Sequence, residues 1–310
     1  MANEIPRPFF KHDEPVFQTG KKLSPKAKGG IALLAQELST KDVHELRTLI
    51  DGHGANTVVV VGSKAPLSVL QHAAGVPFVV LEGGRRSFEG LGALPNSVRR
   101  LSIRTHTKPI SFAELPRDTN VEQLVLDLPA VSEFAALPRL RSLGWTKMSD
   151  DGAPFVAAQP GLQELALQNT TATTLPASKL LERLILLSPS KLGSLAGLAG
   201  LPNLRFLRVD SPKGMARLGS LADAPLLETV VLVSAHLIPD LSGLATAAVS
   251  LSLGVIQTKL DEQPFLILKG KVSSASLQLK TPAANKKLLE FLNVPSQKIN
   301  LIENHFFDNA

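Results

Sequence analysis

The sequence predicts an α/β solenoid of about 12 coils, and three observations carry that expectation. The first is a short apolar phrase that keeps returning: Val98-Arg-Arg-Leu101-Ser-Ile103, Val121-Glu-Gln-Leu124-Val-Leu126, Leu162-Gln-Glu-Leu165-Ala-Leu167, Leu181-Glu-Arg-Leu184-Ile-Leu186 and Leu204-Arg-Phe-Leu207-Arg-Val209. Its second apolar position serves as a ruler at Val59, Val79, Leu101, Leu124, Leu143, Leu165, Leu184, Leu207, Val230, Leu251, Leu277 and Ile299. The mean step is roughly 22 residues, the length of one small supersecondary unit. The second observation is a further apolar register about ten residues behind the ruler, filled by Phe88, Phe112, Phe134 and Phe155 and then by Leu175, Leu195, Leu218 and Leu241. A position that regular is an inward spine on the side opposite the strand. The third is a proline just ahead of several strands, at Pro138, Pro202 and Pro225, where a fixed φ sets a bend that a central strand would not tolerate.

From the N-terminus, residues 1–29 mix Pro, Gly, Lys and Asp without period and predict a flexible or draped arm. Residues 30–55 predict a helical cap over the open end of the core. Ile31, Leu33, Leu34 and Leu38 lead into the capping signal Ser39-Thr40-Lys-Asp42, followed by Val43, Leu46, Leu49 and Ile50 at helical spacing. Residues 56–310 form the solenoid, with atypical C-terminal coils. Thr57–Val61 and Val76–Leu81 are strand-like runs on either side of a predicted helix over Pro66–Ala74. Gly62-Ser-Lys matches neither a dinucleotide fingerprint nor a phosphate loop, so this β–α–β stretch predicts the first two coils and not a nucleotide site. Trp145 falls on an inward strand position and predicts core packing.

The stretch Leu195-Ala-Gly-Leu198-Ala-Gly-Leu201-Pro-Asn-Leu204-Arg-Phe-Leu207-Arg-Val209 resembles an internalin-like leucine-rich repeat, as does Ile238-Pro-Asp-Leu-Ser-Gly-Leu244. The resemblance implies a right-handed solenoid with a parallel, concave β-sheet and short helical turns outside, in proteins that mostly bind other proteins. The family sets Asn three residues past the last strand leucine. That place here holds His106, Pro129, Met148, Thr170, Pro189, Pro212 and Ala235. The hydroxyls of Ser188, Ser211 and Ser234, one place earlier, are expected to supply turn hydrogen bonds instead.

Cysteine is absent, which excludes disulfides, thiolate metal sites and a cysteine nucleophile. No cofactor is implied. His12, His44, His53, His72, His106, His236 and His305 share no ligand spacing, and His44-Glu45 lacks a second histidine. Asp150-Asp151 has a metal or acid–base alternative, but beside Gly152 it predicts a solvated turn. Asn169-Thr-Thr171 matches a glycosylation acceptor without a secretion signal to support it. The N-terminus carries no charged-then-apolar leader, and no apolar run is long enough for a membrane span. These features predict a cytoplasmic protein, or one delivered into a host cell. The net charge of +6 invites a nucleic-acid reading; Arg7, Lys11, Lys21, Lys22, Lys26 and Lys28 hold much of it, and the remainder is interleaved with acids instead of forming a stripe.

Alternation within the phrase turns the x positions away from the leucines. The first x runs Arg99, Glu122, Arg141, Gln163, Glu182, Arg205 and Glu228, a ladder of mostly alternating charge whose ordinary role is solubility. Further outward positions hold Ile185 and Leu187, Phe206, and Val231 and Val233, accompanied by Arg183, Arg205 and Arg208, with Asp210 nearby. An apolar patch rimmed by arginines is the pattern of a protein-binding hot spot. The expectation is a non-enzymatic interaction scaffold gripping a protein partner on this face, of bacterial effector or toxin-immunity type. A second copy in a homodimer or the chain's own tail is the competing occupant. A nucleic-acid binder using the basic tail and scattered Lys and Arg is the alternative function.

Overall fold

The computed structural model describes residues 17–18, 31–34, 37–53, 55–61, 66–83, 88–104 and 108–296. The chain divides into an N-terminal unit, Met1–Gly144 with Glu303–Ala310, and a C-terminal unit, Trp145–Ile302. Both units are stacks of leucine-rich-repeat coils, each coil giving one short strand to a parallel sheet.

In the N-terminal unit, β1 (Phe17–Gln18), β2 (Ile31–Leu34), β3 (Thr57–Val61), β4 (Phe78–Glu82) and β5 (Arg100–Arg104) pair in sequence order and in parallel. Behind them β6 (Ile110–Ser111) pairs with β8 (Val131–Ser132), and β7 (Gln123–Asp127) lies against β5. The helical cap expected over 30–55 starts later than its apolar pattern suggested. Ile31–Leu34 is strand, drawn into pairing by the exposed edge of β3, and helix α1 runs Thr40–His53. The capping signal acts as its chemistry dictates. Asp42 N–H donates to Ser39 Oγ at 3.2 Å, and Ser39 N–H donates to Asp42 Oδ2 at 3.0 Å. Leu46, Leu49 and Ile50 on this helix are buried, and Arg47 Nη1 donates to Ala74 O at 2.6 Å. The helix predicted over Pro66–Ala74 is a 3₁₀ segment, Leu67–Ala73. Phe17–Gln18, within the expected arm, forms the first strand; the other residues of 1–29 lie outside the described residues, as do Gly62-Ser-Lys, His106, Ile299 and His305.

Strand β9 (Ser142–Thr146) spans the division between the units. The C-terminal unit continues with α2 (Ala153–Ala157), β10 (Glu164–Gln168), β11 (Arg183–Leu187), β12 (Phe206–Asp210), β13 (Thr229–Val233), β14 (Leu251–Ile256), β15 (Val272–Leu277) and α3 (Pro282–Leu292). Leu165, Leu184, Leu207, Val230, Leu253 and Ala275 stand side by side across these strands, and all are buried. Burying a leucine side chain contributes about 1.5–3 kcal/mol, so a repeated row of this kind is a main source of stability. The spine behind the strands is present too. Phe155, Leu175, Leu195, Leu218 and Leu241 are buried, and Trp145 meets Phe155 edge to face at 5.7 Å between ring centres.

The ruler needs correction at three coils. Val58, not Val59, sits beside Val79; Leu253, not Leu251, sits beside Val230; and Ala275, not Leu277, sits beside Leu253. In Thr57–Val61 four consecutive valines erase the alternation that would mark the inward face. In β14 the leading leucine of the phrase is Ser250, and the register slips at Leu251/Ser252. The proline bends appear as expected: Leu140 N–H donates to Leu137 O, Leu204 N–H to Leu201 O and Leu227 N–H to Ala224 O, each at 3.1 Å. In each, proline holds the second position of the turn.

The strand exits differ from the expectation. Lys147, Asn169, Ser188, Ser211, Ser234 and Gln257 all have positive φ, between 48° and 67°. Each of the first five donates its N–H to the final carbonyl of the next strand, for instance Ser188 to Asp210 O and Asn169 to Leu187 O, both at 2.8 Å. The serines therefore serve through a left-handed backbone and not chiefly through their hydroxyls. Short polar residues enter that region at lower cost than branched ones. Thr170 replaces the family asparagine in its own coil: its Oγ1 donates to Met148 O at 2.8 Å and accepts from Ala172 N–H.

Candidate functional site

The side of the C-terminal sheet turned away from the leucines carries three rows, set by register. The first is Glu164, Arg183, Phe206, Thr229 and Ser252. The second is Ala166, Ile185, Arg208, Val231 and Gly254. The third is Gln168, Leu187, Asp210, Val233 and Ile256. All the sequence-singled residues except Arg205 lie in these rows, so they form one surface; Arg205 enters β12 immediately before Phe206.

Their exposure differs from the sequence expectation of an apolar patch open to solvent. Ile185 is 1% exposed, Leu187 7%, Val231 0% and Val233 6%. Adjacent strands stand about 4.8 Å apart, so side chains in one row shield one another. The long chains of Arg183 and Arg208 share these rows. The apolar residues thus form a floor, and the accessible layer above it is Arg183, Phe206, Arg208 and Asp210, all half-buried, with exposed Arg205 at its edge.

That layer is ordered by paired charges. Arg183 Nε lies 3.2 Å from Glu164 Oε1, and its guanidinium carbon is 5.1 Å from the centre of the Phe206 ring. Arg208 Nη2 donates to Asp210 Oδ2 at 3.2 Å, while Ser211 Oγ donates to Asp210 Oδ1 at 2.8 Å. Arg205 pairs with Glu228. Two donors of Arg183, Nε and Nη2, are sealed from solvent without a hydrogen bond among the described residues. Sequence periodicity could place these residues on one face. It could not show that the apolar ones would be buried.

The chemical candidates fall into structural roles. Asp150 accepts Thr173 N–H at 2.8 Å and Thr173 Oγ1–H at 2.9 Å, joining two coils. These bonds, the backbone one foremost, hold its carboxyl below the ordinary value of 3.8. His236 Nδ1 faces Lys259 N–H at 3.4 Å, and His72 lies beside Gln71. Among the described residues no group of three or more His, Asp or Glu side chains could hold a metal ion. No helix among them is long and apolar enough to cross a membrane.

Strand order, register and buried leucine row define a leucine-rich-repeat coil architecture whose candidate site is a sheet surface. The chain is similar to the solved structure of an internalin from Listeria monocytogenes, with 14% sequence identity over 83% of this chain and 89% of that one, at a TM-score of 0.38. No protein-family model matches the chain, and no curated protein does.

Proposed function

We propose that this protein is a non-enzymatic interaction module that binds a protein partner on the outer sheet face of its C-terminal unit, through Arg183, Arg205, Phe206, Arg208 and Asp210. The observation that carries the reading is Arg183. Its guanidinium stacks on Phe206 and is ion-paired through Nε with Glu164, while Nη2 keeps no hydrogen bond among the described residues. A ring and an arginine fixed over an apolar floor lose little conformational freedom on binding, which is what makes such residues anchors. Ile185, Leu187, Val231 and Val233 support the anchor from below. The pairing of each arginine with an acid favours a partner of mixed charge over a polyanion. An effector's host target and a toxin held by its immunity protein are the two settings for such a module.

The test places a photo-crosslinking phenylalanine analogue at position 206 and maps the crosslinked partner residues by mass spectrometry, in parallel with Phe206→Asp. One partner captured at Phe206 and lost with Phe206→Asp, at unchanged circular dichroism and melting temperature, is the expected result. A partner captured equally by a probe at exposed Leu180, or retained by Phe206→Asp, overturns the surface assignment.

A further inference from the structure

The outer face of the N-terminal sheet holds an arginine unlike the others. Arg100 stands in β5 between Phe78 of β4 and Gln123 of β7, and is 7% exposed. Among the described residues its guanidinium has neither a hydrogen bond nor an ion pair. The neighbouring arginines are served by acids. Arg99 pairs with Glu122 at 3.2 Å, and Arg104 feels both Glu82 and Asp127. The charge that acts on Arg100 is that of Arg104, four residues along the strand on the same face, and it is repulsive. Burial first, and then Arg104, pull the Arg100 pKa down to about 10. Arg104 is itself turned toward this spot, its Nε donating to Ser102 Oγ at 3.2 Å. The Gln123 amide oxygen beside Arg100 is sealed without a partner among the described residues, an acceptor that answers to a guanidinium N–H and not to an anion.

A buried cation with no counter-charge among the described residues, beside a second cation, is costly, and an anion is the chemical species that would relieve Arg100. We propose that Arg100, with Arg104, Ser102 and Gln123 around it, is an oxyanion-binding site that takes a carboxylate or phosphate group. The planar guanidinium offers two parallel N–H donors matched to two oxygens of such a group. Ser102, whose Oγ accepts from Arg104 Nε, is placed to orient it through its own O–H. Little of Arg100 is accessible, which restricts the ligand to a small charged head presented end-on. The site lies in the N-terminal unit and does not depend on the protein-binding reading of the C-terminal face.

The full chain is titrated with sodium phosphate and, separately, sodium acetate at constant ionic strength, following the Arg104 Nε–H and the β5 backbone amide resonances by NMR. A saturable shift of these resonances is expected for at least one anion, abolished by Arg100→Met and weakened about tenfold in affinity by Arg100→Lys, which keeps charge but loses the fork. Saturation by phosphate alone assigns a phosphate-bearing ligand; saturation by acetate with equal or greater affinity assigns a carboxylate. An Arg183→Met variant is expected to bind as the parent does. Absence of saturation with both anions overturns the site, and so does Arg100→Lys binding at parental affinity, a result readable even if Arg100→Met fails to fold.

Discussion

Arg100 and Arg208 occupy comparable places, each on the outer face of a parallel sheet with apolar neighbours, yet their electrostatic settings are opposite. Arg208 has Asp210 two residues on, and the pair sits 15% and 23% exposed by side chain. Arg100 has Ser102 two residues on and Arg104 four on, and among the described residues no acid of its own. The same strand geometry, which brings positions two and four apart onto one face, therefore gives one guanidinium a counter-ion and the other a second cation. The difference teaches that a repeat fixes where a charge stands, whereas its neighbours along the same face decide whether that charge stabilises the coil or is available to something else.

The sharpest way to break this comparison is to remove the acid that makes it. Asp210→Ala turns Arg208 into a mostly buried cation without Asp210 and strips the acceptor from Ser211 Oγ. The expected loss of stability is about 2–3 kcal/mol, below the range for fully buried pairs because Asp210 keeps some solvent. Urea unfolding measures it. A loss under about 0.5 kcal/mol would show that the Arg208–Asp210 pair behaves as an exposed one and that the contrast with Arg100 is empty.

The converse experiment neutralises Arg100. Its lowered pKa means the fold disfavours the charged form; that penalty is complete below about pH 10 and fades as pH rises from there toward the higher value of an unfolded arginine. Arg100→Met keeps the apolar stem and removes the charge, so at neutral pH the variant is expected to be more stable by about 1–2 kcal/mol. Thermal and urea unfolding in buffers free of phosphate and carboxylate check it. A destabilised variant would mean that the guanidinium is satisfied within the fold. Gain of stability together with loss of anion binding is the signature of a residue held for function at the expense of the fold.

Much of this was legible in the sequence, and the failures have physical causes. The leucine ruler, the phenylalanine-to-leucine spine and the proline bends follow from residues whose inward direction is enforced by periodicity, and the structure places the ruler as expected from Leu101 to Val230, with Phe88 and Phe134 of the spine only half-buried. The ruler slips where the sequence stops discriminating, in the all-valine strand Thr57–Val61 and at Ser250, where the leading leucine is lost. Helix α3 was missed although Thr281 accepts Ala284 N–H as its cap and Asn293 closes it with φ of 55°; Thr281-Pro282 was the available signal. The outer-face rows were legible as register but not as exposure. Side-chain shielding across 4.8 Å depends on how arginine stems lie, and periodicity carries no information on that. Arg100 escaped notice for the same reason: nothing local in Val98-Arg-Arg-Leu101 tells which arginine meets an acid.

The smallest effect concerns a charge on the loops between coils, away from either sheet face, and it tests whether satisfied acids there behave as Asp210 does. Asp150 is exposed, and its carboxyl is held below 3.8 first by the backbone N–H of Thr173 and then by the Thr173 hydroxyl. A carboxyl lowered by folding contributes stability that is fully present above its unfolded value of 3.8 and is lost as pH falls through its lower folded value. Asp150→Asn is therefore expected to lower the urea midpoint modestly at pH 6, with the gap to the parent narrowing below pH 3.8 and closing as the folded carboxyl protonates. A gap that stays constant down to pH 2.5 would assign the effect to the altered side chain itself and not to its charge. Closure would separate the two kinds of acid in this chain. Asp150 would then act as an acceptor that ties one coil to the next through backbone N–H, and Asp210 as the counter-ion that Arg100 lacks.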